Sequence, residues 1–304
     1  MHLPLFMQHR PRLLALGYRM LGSRAEAQDL AQEAWLRWSE CDLEGIAAPG
    51  AYLTQLMARL CLDQIKSARR RREQYVGVWL PEPLADGDDC LAAGPEQLAE
   101  RAQQLSYAYL LALQRLEPLE RAAFLLREVF DVEYPQLAAI LQRSQAACRQ
   151  LASRARRRLQ DGGQAVPARP PGDPQALAEA FVDALQGGDV DRLAGLLAMD
   201  VRYQADGGGK ALALPAPLAG RRAVSRLLRG LWRRSERKGA AWCAQRLNGM
   251  PGVLVWEEER LLMSVALQCD AVGRVSGLYV MRNPDKLAHL TAGGCGQKRS
   301  NGCR

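Results

Sequence analysis

Residues 144–159 read SQAACRQLASRARRRL and follow a second short apolar run, YPQLAAIL, at residues 134–141. At 3.6 residues per turn, the apolar residues of the longer stretch fall on one side of a helix and its polar residues on the other. Ser144 is expected to cap this helix, because its hydroxyl can accept from the free N–H groups of the first turn. Two such helices joined by a turn at residues 142–144 predict a helix-turn-helix. The apolar side consists of Cys148, Leu151, Ala152, Ala155 and Leu159.

The polar side of the same helix suits the edges of DNA bases. Arg149 and Arg154 could donate to guanine, Gln150 to adenine and Ser153 to either. The three arginines at 156–158 extend the helix with charge for phosphates. An amphipathic surface helix with a solvated basic face would show the same pattern, so this stretch alone leaves both interpretations open.

Length and net charge limit the classes of protein to which this chain can belong. The 304 residues are enough for two or three domains of ordinary size, and the net charge of +8 with a pI near 9.2 favours a polyanionic partner. No stretch approaches the roughly 20 apolar residues of a membrane span. The first residues, MHLPLFMQHRPR, lack the pattern of a secretion signal. We therefore expect a cytoplasmic protein that does not contact a membrane.

Metal and cofactor chemistry have little support in the sequence. The eight cysteines are scattered without a C-x-x-C pair, and there are only three histidines. We expect most of the cysteines to be reduced thiols, and neither a metal site nor a cofactor.

The region before residue 40 carries an acidic strip on a helix. The segment at residues 23–26 reads SRAE, a capping box that begins a helix reaching Trp38. Glu26, Asp29 and Glu33 then line up at i, i+3 and i+7 on its exposed side. Such a strip is either solvated surface or a protein-binding face.

A longer basic helix follows at residues 51–72. Arg59, Asp63, Lys66 and Arg70 project along one face of it. The four consecutive arginines at 69–72 exceed what the helix C-terminus needs, and indicate contact with nucleic-acid phosphates.

The rest of the chain alternates between linkers and compact segments. Residues 76–104 are rich in proline and acidic residues and predict a linker, and a second Gly/Pro-rich linker spans residues 162–173. Between them, residues 105–161 predict an all-helical unit. From residue 174 onward, two helices precede four β-like runs (VRYQA, VLVWEE, LLMSVALQCD and RVSGLYVMR) with one helix among them, which is an α+β plan. Residues 291–304 predict a disordered tail.

Two stretches and three short motifs carry a resemblance to a family. YRMLGSRAEAQDLAQEAWLRW (residues 18–38) resembles region 2 of the sigma-70 family, specifically its extracytoplasmic function members. Residues 116–159, from LEPLER to ARRRL, resemble region 4. The whole chain is similar to the subgroup with a fused C-terminal SnoaL-like, NTF2-like domain. It carries that subgroup's motifs WLPEP (79–83), DGGGK (206–210) and NPDKL (283–287), but Gln142 stands in the helix-turn-helix turn where the wider family often has glycine.

The resemblance implies a multidomain fold of two all-α sigma domains followed by an α+β SnoaL-like cone-shaped barrel. Region 2 would be a helical bundle at residues 1–75, and a linker with WLPEP would span 76–104. Region 4, with the helix-turn-helix, would occupy 105–161. After the linker at 162–173, a SnoaL-like regulatory domain would span 174–290, followed by the tail at 291–304.

The resemblance also implies core RNA polymerase and promoter DNA as partners. Contact with core polymerase is expected from Glu26, Asp29 and Glu33. Contact with the −10 element is expected from Arg59, Asp63, Lys66, Arg69, Arg70, Arg71 and Arg72. Contact with the −35 element is expected from Arg149, Gln150, Ser153, Arg154 and Arg157.

For the C-terminal domain we expect regulation by contact with the sigma domains, in place of a separate anti-sigma protein. The three glycines of DGGGK allow a close approach to WLPEP, where Trp79 offers a large apolar anchor. The expected contact residues are Trp79, Pro81, Asp206, Gly207, Gly208, Gly209, Lys210, Asn283, Pro284, Asp285 and Lys286.

Other functions remain open at this point. Asp206 is the one candidate for pocket chemistry, and no acid–base partner for it is evident, so we expect no enzyme. A small ligand in the pocket could tune regulation. The alternatives are a stand-alone helix-turn-helix regulator and a SnoaL-type isomerase or hydrolase with helical appendages.

Overall fold

The computed structural model describes residues 1–73, 75–91, 106–161 and 173–290, and for residues 66–73, 91 and 190 it describes the backbone alone. The chain forms two compact units. The first comprises Met1–Gln74 and Gly87–Val166, and the second comprises Tyr75–Asp86 and Pro167–Arg304. The segment at 75–86, which carries WLPEP, was expected to be linker, yet it packs with the C-terminal part of the chain.

The first unit is helical throughout its described residues. In its N-terminal part, Ser23 caps α2 as expected, since its hydroxyl accepts from the Glu26 N–H at 3.1 Å. The helices here are α1 (His2–Leu21), α2 (Arg24–Ser39) and α3 (Pro49–Glu73), with a 3-10 turn at Leu43–Gly45. After a second 3-10 turn at Asp89–Leu91, the chain continues as α4 (Tyr107–Gln114), α5 (Pro118–Phe124), a π-helical turn (Leu125–Val129), α6 (Tyr134–Leu141) and α7 (Gln145–Asp161).

The helix-turn-helix consists of α6 and α7. Gln142 takes the left-handed conformation, with φ 53° and ψ 50°, at the position where glycine would adopt it without strain. Ser144 caps α7 as expected, because its hydroxyl accepts from the Ala147 N–H at 3.2 Å. A residue other than glycine is therefore compatible with the expected turn.

The N-terminal helices and the later helices of the first unit pack together. The buried Arg121 of α5 donates to the Met20 carbonyl at 2.6 Å, and Arg12 of α1 donates to the Phe130 carbonyl at 2.5 Å. Charge-assisted donors to helix-end and loop carbonyls satisfy groups that helices leave unpaired. The two predicted DNA-binding parts therefore share one compact unit.

The second unit places helices against one six-stranded sheet, in the strand order β2-β1-β6-β5-β4-β3. β1 and β6 run parallel, and the other neighbours are antiparallel. Its elements are α8 (Pro174–Gln186), α9 (Val190–Leu196), β1 (Leu197–Asp206), β2 (Leu218–Ala219), α10 (Arg221–Glu236), β3 (Ala241–Leu247), β4 (Met250–Glu257), β5 (Arg260–Cys269), β6 (Val275–Met281) and α11 (Pro284–Leu287).

The core of the second unit lies between α8, α10 and one face of the sheet. Phe181 and Val224, one from each helix, are fully buried against Val253 and Leu267 of the sheet. The four expected β-like runs became β1, β4, β5 and β6, and the expected helix became α10. The α+β plan expected from the sequence for this part of the chain is confirmed.

No helix in the described ranges is long and apolar enough to cross a membrane. Among the same residues, no group of three or more His, Cys, Asp or Glu side chains is placed to hold a metal ion.

Candidate nucleic-acid interface and buried clasp

The recognition helix α7 separates its residues cleanly into a buried and an exposed side. Cys148, Ala152 and Ala155 are at most 1% exposed, and Leu151 is 8% exposed. The opposite side is open to a partner. The predicted base-contacting and phosphate-contacting residues are all exposed, namely Arg149, Gln150, Ser153, Arg154 and Arg157.

Several arginines of α7 are held by neighbouring groups, which sequence reasoning did not foresee. Arg154 and Arg158 form ion pairs with Glu120 of α5, at 3.4 and 2.6 Å, and that glutamate side chain is only 5% exposed. The Arg149 guanidinium lies 4.9 Å from the centre of the Tyr134 ring, a cation–π distance. The side chains of Arg149 and Arg154 are therefore oriented by contacts within the protein itself.

The predicted −10 surface on α3 adjoins the helix-turn-helix. The Arg59 guanidinium is exposed and donates to the Ala139 carbonyl of α6 at 3.1 Å. Asp63 is also exposed, one turn further along α3. The side chains of Lys66, Arg69, Arg70, Arg71 and Arg72 lie outside the described residues.

The three carboxylates of the acidic strip on α2 differ in their exposure and in their contacts. Asp29 is exposed, whereas Glu33 forms an ion pair with Arg37 at 2.5 Å, with its side chain 44% exposed. Glu26 accepts from Gln64 of α3 at 3.5 Å. Asp29 is thus open to solvent, whereas Glu33 and Glu26 each contact another side chain of the protein.

A cavity of about 610 Å³ lies inside the first unit, between α1, the start of α3 and α6. His9, Arg12 and Tyr52 line it together with Asp131 and Gln136. Burial, and then the nearby Arg12 charge, lower the pKa of His9. Residues of the predicted −10 helix α3 and of α6 thus line the same cavity.

A buried polar cluster of the second unit surrounds Asp206, at the end of β1. Asp206 is 0% exposed. One of its carboxylate oxygens accepts from the Tyr75 hydroxyl at 2.6 Å, and the other accepts from the Leu80 N–H at 2.9 Å and from the Lys286 ammonium at 2.8 Å. We name this cluster the clasp, and define it as Tyr75, Leu80, Asp206, Asn283 and Lys286.

Lys286 closes the clasp from α11. Its ammonium also donates to the Leu80 carbonyl at 2.7 Å, and it lies 4.9 Å from the centre of the Tyr75 ring and 4.5 Å from that of Trp79. Two aromatic faces, a carboxylate and a carbonyl thus replace the water that a lysine normally keeps. Asn283 donates to the Tyr75 hydroxyl at 2.9 Å. Burial, followed by the hydrogen bond to Asp206, raises the pKa of Tyr75.

The glycines of DGGGK are needed for this close approach. Gly208 has φ +59°, and a Cβ there would lie 2.3 Å from the Asn283 amide nitrogen and 3.0 Å from the Tyr75 hydroxyl. Gly209 has φ +72°, and its Cβ would lie 3.3 Å from the Val76 Cβ. Only glycine adopts such a conformation without strain while leaving room for the segment at 75–86.

The rest of the segment at 75–86 is held by hydrogen bonds along its length. The Leu84 N–H donates to the Asn248 side-chain oxygen at 2.9 Å, and the Asn248 N–H donates back to the Leu84 carbonyl at 2.8 Å. His289 contacts the Pro83 carbonyl at 2.7 Å through its ring Nε2. The segment is therefore bonded to the rest of the second unit by backbone groups as well as side chains.

The expected contact residues occupy different environments. Pro81 is buried and Trp79 half-buried, whereas Lys210 and Asp285 form an ion pair in which both side chains are more than half exposed. Pro284 is the first residue of α11, a position where proline is favoured. The docking partners that sequence reasoning missed are Tyr75, Leu80, Asn248 and His289. Their local patterns carry no signal, because each acts through a contact distant in sequence.

Comparison with known proteins agrees with this architecture. The model of Sigma-70 region 2 matches residues 5–71, and that of Sigma-70 region 4 matches residues 106–159. The ECF RNA polymerase sigma factor SigJ of Mycobacterium tuberculosis is 36% identical, over 91% of this chain and 90% of its own length. A probable ECF RNA polymerase sigma factor of the same species, SigI, is 31% identical over 93% of this chain and 94% of its own.

A solved structure agrees as well. The crystal structure of the M. tuberculosis extracytoplasmic function sigma factor SigJ superposes with a TM-score of 0.72 at 32% identity, covering 93% of this chain and 97% of that one. The similarity therefore spans both units. Together with the exposed recognition helix, these matches show that the chain belongs to the extracytoplasmic function sigma factors of RNA polymerase.

Proposed function

We propose that this sigma factor carries its own regulator, and that the clasp is the regulatory contact. In this proposal α2 binds core polymerase through Asp29 and Glu33. The helix α3 contacts the −10 element, α7 contacts the −35 element, and the second unit restrains them through the segment at 75–86.

The observation that carries the proposal is the burial of Asp206 and Lys286 against that segment. The segment joins the predicted −10 part of the chain to the predicted −35 part. Removing one partner of a buried ion pair strongly destabilises the fold, because the other charge then stays buried without compensation. The connection between the two predicted DNA-binding parts is thus bonded to the rest of the second unit by buried polar groups.

Promoter geometry explains why holding that connection would matter. Elements 25 base pairs apart are separated by about 85 Å of duplex. A compact unit of roughly 150 residues has a radius of gyration of about 15 Å, too small to reach both elements at once. The chain from 74 to 105, if fully extended, could span about 110 Å. The packed arrangement of α3 and α6 must therefore open on a promoter, and restraint of the connecting chain would oppose this.

Locking the clasp tests the proposal directly. A Cβ at Gly209 would lie 3.3 Å from the Val76 Cβ, close to the spacing of a disulfide, and both positions belong to the second unit. The double variant Val76→Cys with Gly209→Cys should give less run-off transcript with core polymerase when oxidised, and regain it on reduction. The −10 and −35 base preferences should stay the same.

The single variants Val76→Cys and Gly209→Cys, oxidised in the same way, are the matched controls for native cysteines and for strain at Gly209. Equal transcription from the oxidised and reduced double variant would overturn the regulatory role of the clasp. It would leave the sigma-factor function itself intact.

A further inference from the structure

The outer face of α10 carries a line of arginines in the second unit. Counting from the first, they stand at i, i+4, i+7, i+11 and i+15, which places them on one side of the helix. At 1.5 Å per residue the line is about 22 Å long. Four of the five are exposed and Arg229 is half-buried. We name this set the arginine stripe: Arg222, Arg226, Arg229, Arg233 and Arg237.

The stripe is not neutralised by the part of the protein that the structure describes. No ion pair joins any of its guanidinium groups to a carboxylate there, and Arg237 only donates to the Arg233 carbonyl of its own helix. The recognition helix differs, because Arg154, Arg156 and Arg158 all have glutamate partners.

The stability of α10 accounts for only the end of the stripe, where Arg233 lies in the last turn and a cation is favourable. Arg222 lies in the first turn, where no acidic residue offsets it, and a cation there opposes the helix dipole. Arg222 with Arg226, and Arg229 with Arg233, are like-charged pairs at i, i+4 and repel each other. An external polyanion would relieve both effects.

Gly230 lies in the middle of the same surface. It is exposed, and a Cβ there would meet nothing within 4 Å, so no contact inside the described protein requires glycine. Glycine in a helix interior is unfavourable relative to alanine. Its position between Arg226, Arg229 and Arg233 leaves the helix backbone open to close approach by a large partner.

We propose that the arginine stripe binds the phosphate backbone of duplex DNA, which gives the second unit a DNA contact of its own. Duplex DNA presents one charge per about 1.7 Å of its axis, so it can meet every arginine along the stripe. The apolar residues of α10, such as Leu228 and Leu231, pack on the core of their own unit. The stripe thus lacks the apolar anchor that typically dominates a protein–protein interface. The inference goes beyond the proposed function, since it holds whether or not the clasp regulates.

The test measures how salt affects binding of the full chain to duplex DNA. The probe is a fluorescein-labelled 30-base-pair duplex without promoter elements, followed by anisotropy between 50 and 200 mM KCl. Changing Arg222, Arg226 and Arg233 to Gln should reduce the slope of log K against log salt by about 2 to 3, because each lost phosphate contact removes about 0.9. The three corresponding Lys changes should keep most of the slope, since lysine also binds phosphate.

A second triple variant provides the matched control. Arg202, Arg260 and Arg274 are exposed on the same unit and outside α10, and changing them to Gln removes the same charge. It should reduce the slope by less than 1. Equal losses from both triple variants would mean a bulk charge effect and would overturn the proposal. A stripe variant with unchanged DNA binding but weaker core polymerase binding would overturn it too, and would assign the stripe to a protein partner.

Discussion

The recognition helix α7 and the clasp place their functional side chains in opposite environments. On α7 the predicted DNA contacts are exposed and come from one continuous stretch of 17 residues. In the clasp the polar groups are largely buried and come from three separate parts of the chain, around Tyr75, Asp206 and Lys286. An exposed set can change its partner without affecting the fold, whereas a buried set cannot. Substitutions on the exposed side of α7 should therefore alter DNA binding with little change in stability, except where an arginine pairs with the shielded Glu120. Substitutions in the clasp should alter stability and regulation together.

The largest expected effect is that of Asp206→Asn. It leaves the Lys286 charge buried without its carboxylate, which typically costs about 3–5 kcal/mol. The loss should appear in urea unfolding of the full chain followed by tryptophan fluorescence, with Trp35 and Trp38 of the first unit changed to Phe in every variant compared. The matched control is Asp285→Asn, in the exposed pair with Lys210, which should cost at most about 1 kcal/mol. Similar costs for the two variants would show that burial does not distinguish the two pairs.

Gly208→Ala should have the next largest effect. The residue has a positive φ, and the added Cβ would press on Asn283 and Tyr75. Strain of this kind costs about 1–3 kcal/mol, and it should open the clasp. The control is Gly195→Ala in α9, where nothing lies within 4 Å of the added Cβ. Hydrogen exchange at the Leu80 amide should quicken in the Gly208 variant and not in the control. Unchanged exchange in both would contradict the close approach.

The contrast also explains what could be predicted from the sequence. The buried apolar side of α7, the Ser23 and Ser144 caps and the α+β plan follow from patterns within a few residues, and all are confirmed. Edge strand β3 was missed because its sequence, AWCAQRL, has polar residues and a half-buried pattern without an apolar run. The π-helical turn at Leu125–Val129 was missed because the segment has ordinary helical periodicity.

The clasp was only partly predictable for the same reason. The glycines of DGGGK indicated a close approach to WLPEP, and family resemblance drew attention to both motifs. The role of Lys286 as a buried ion-pair partner depends on register across the fold, because Asp206 pairs with Lys286 while Lys210 pairs with Asp285. No local sequence pattern distinguishes this pairing of the two aspartates and two lysines from the opposite pairing. The roles of the proposed polymerase and DNA residues stay predictions.

On the recognition helix, Arg149→Ala should weaken discrimination at the −35 element by about 1–3 kcal/mol, if the arginine binds guanine by two hydrogen bonds. Arg154→Ala should have a similar effect on DNA, and it also removes an ion pair of the shielded Glu120. Unfolding free energy should therefore fall more for Arg154→Ala than for Arg149→Ala. Binding measured against single-base variants of the −35 element checks the first effect. Unchanged base preference in both variants would contradict the groove-facing assignment.

The smallest expected effect concerns Tyr75 and alkaline pH. Burial and the Asp206 hydrogen bond raise the pKa of its hydroxyl above the ordinary value of 10, so the folded state favours the protonated form. A group with a raised folded-state pKa stabilises the fold below its unfolded pKa, and this contribution is lost as pH rises through the folded-state pKa. At pH 8, Tyr75→Phe should be less stable than the wild type by about 1 kcal/mol, the value of a lost hydrogen bond. Above pH 10 the stability of the wild type should fall more steeply than that of the variant, by up to about 1.4 kcal/mol per pH unit, so the gap closes. A gap of the same size at pH 8 and pH 11, measured by urea unfolding, would mean that this hydroxyl is not buried against Asp206. The clasp would then resemble the exposed surface of α7 more than the structure indicates.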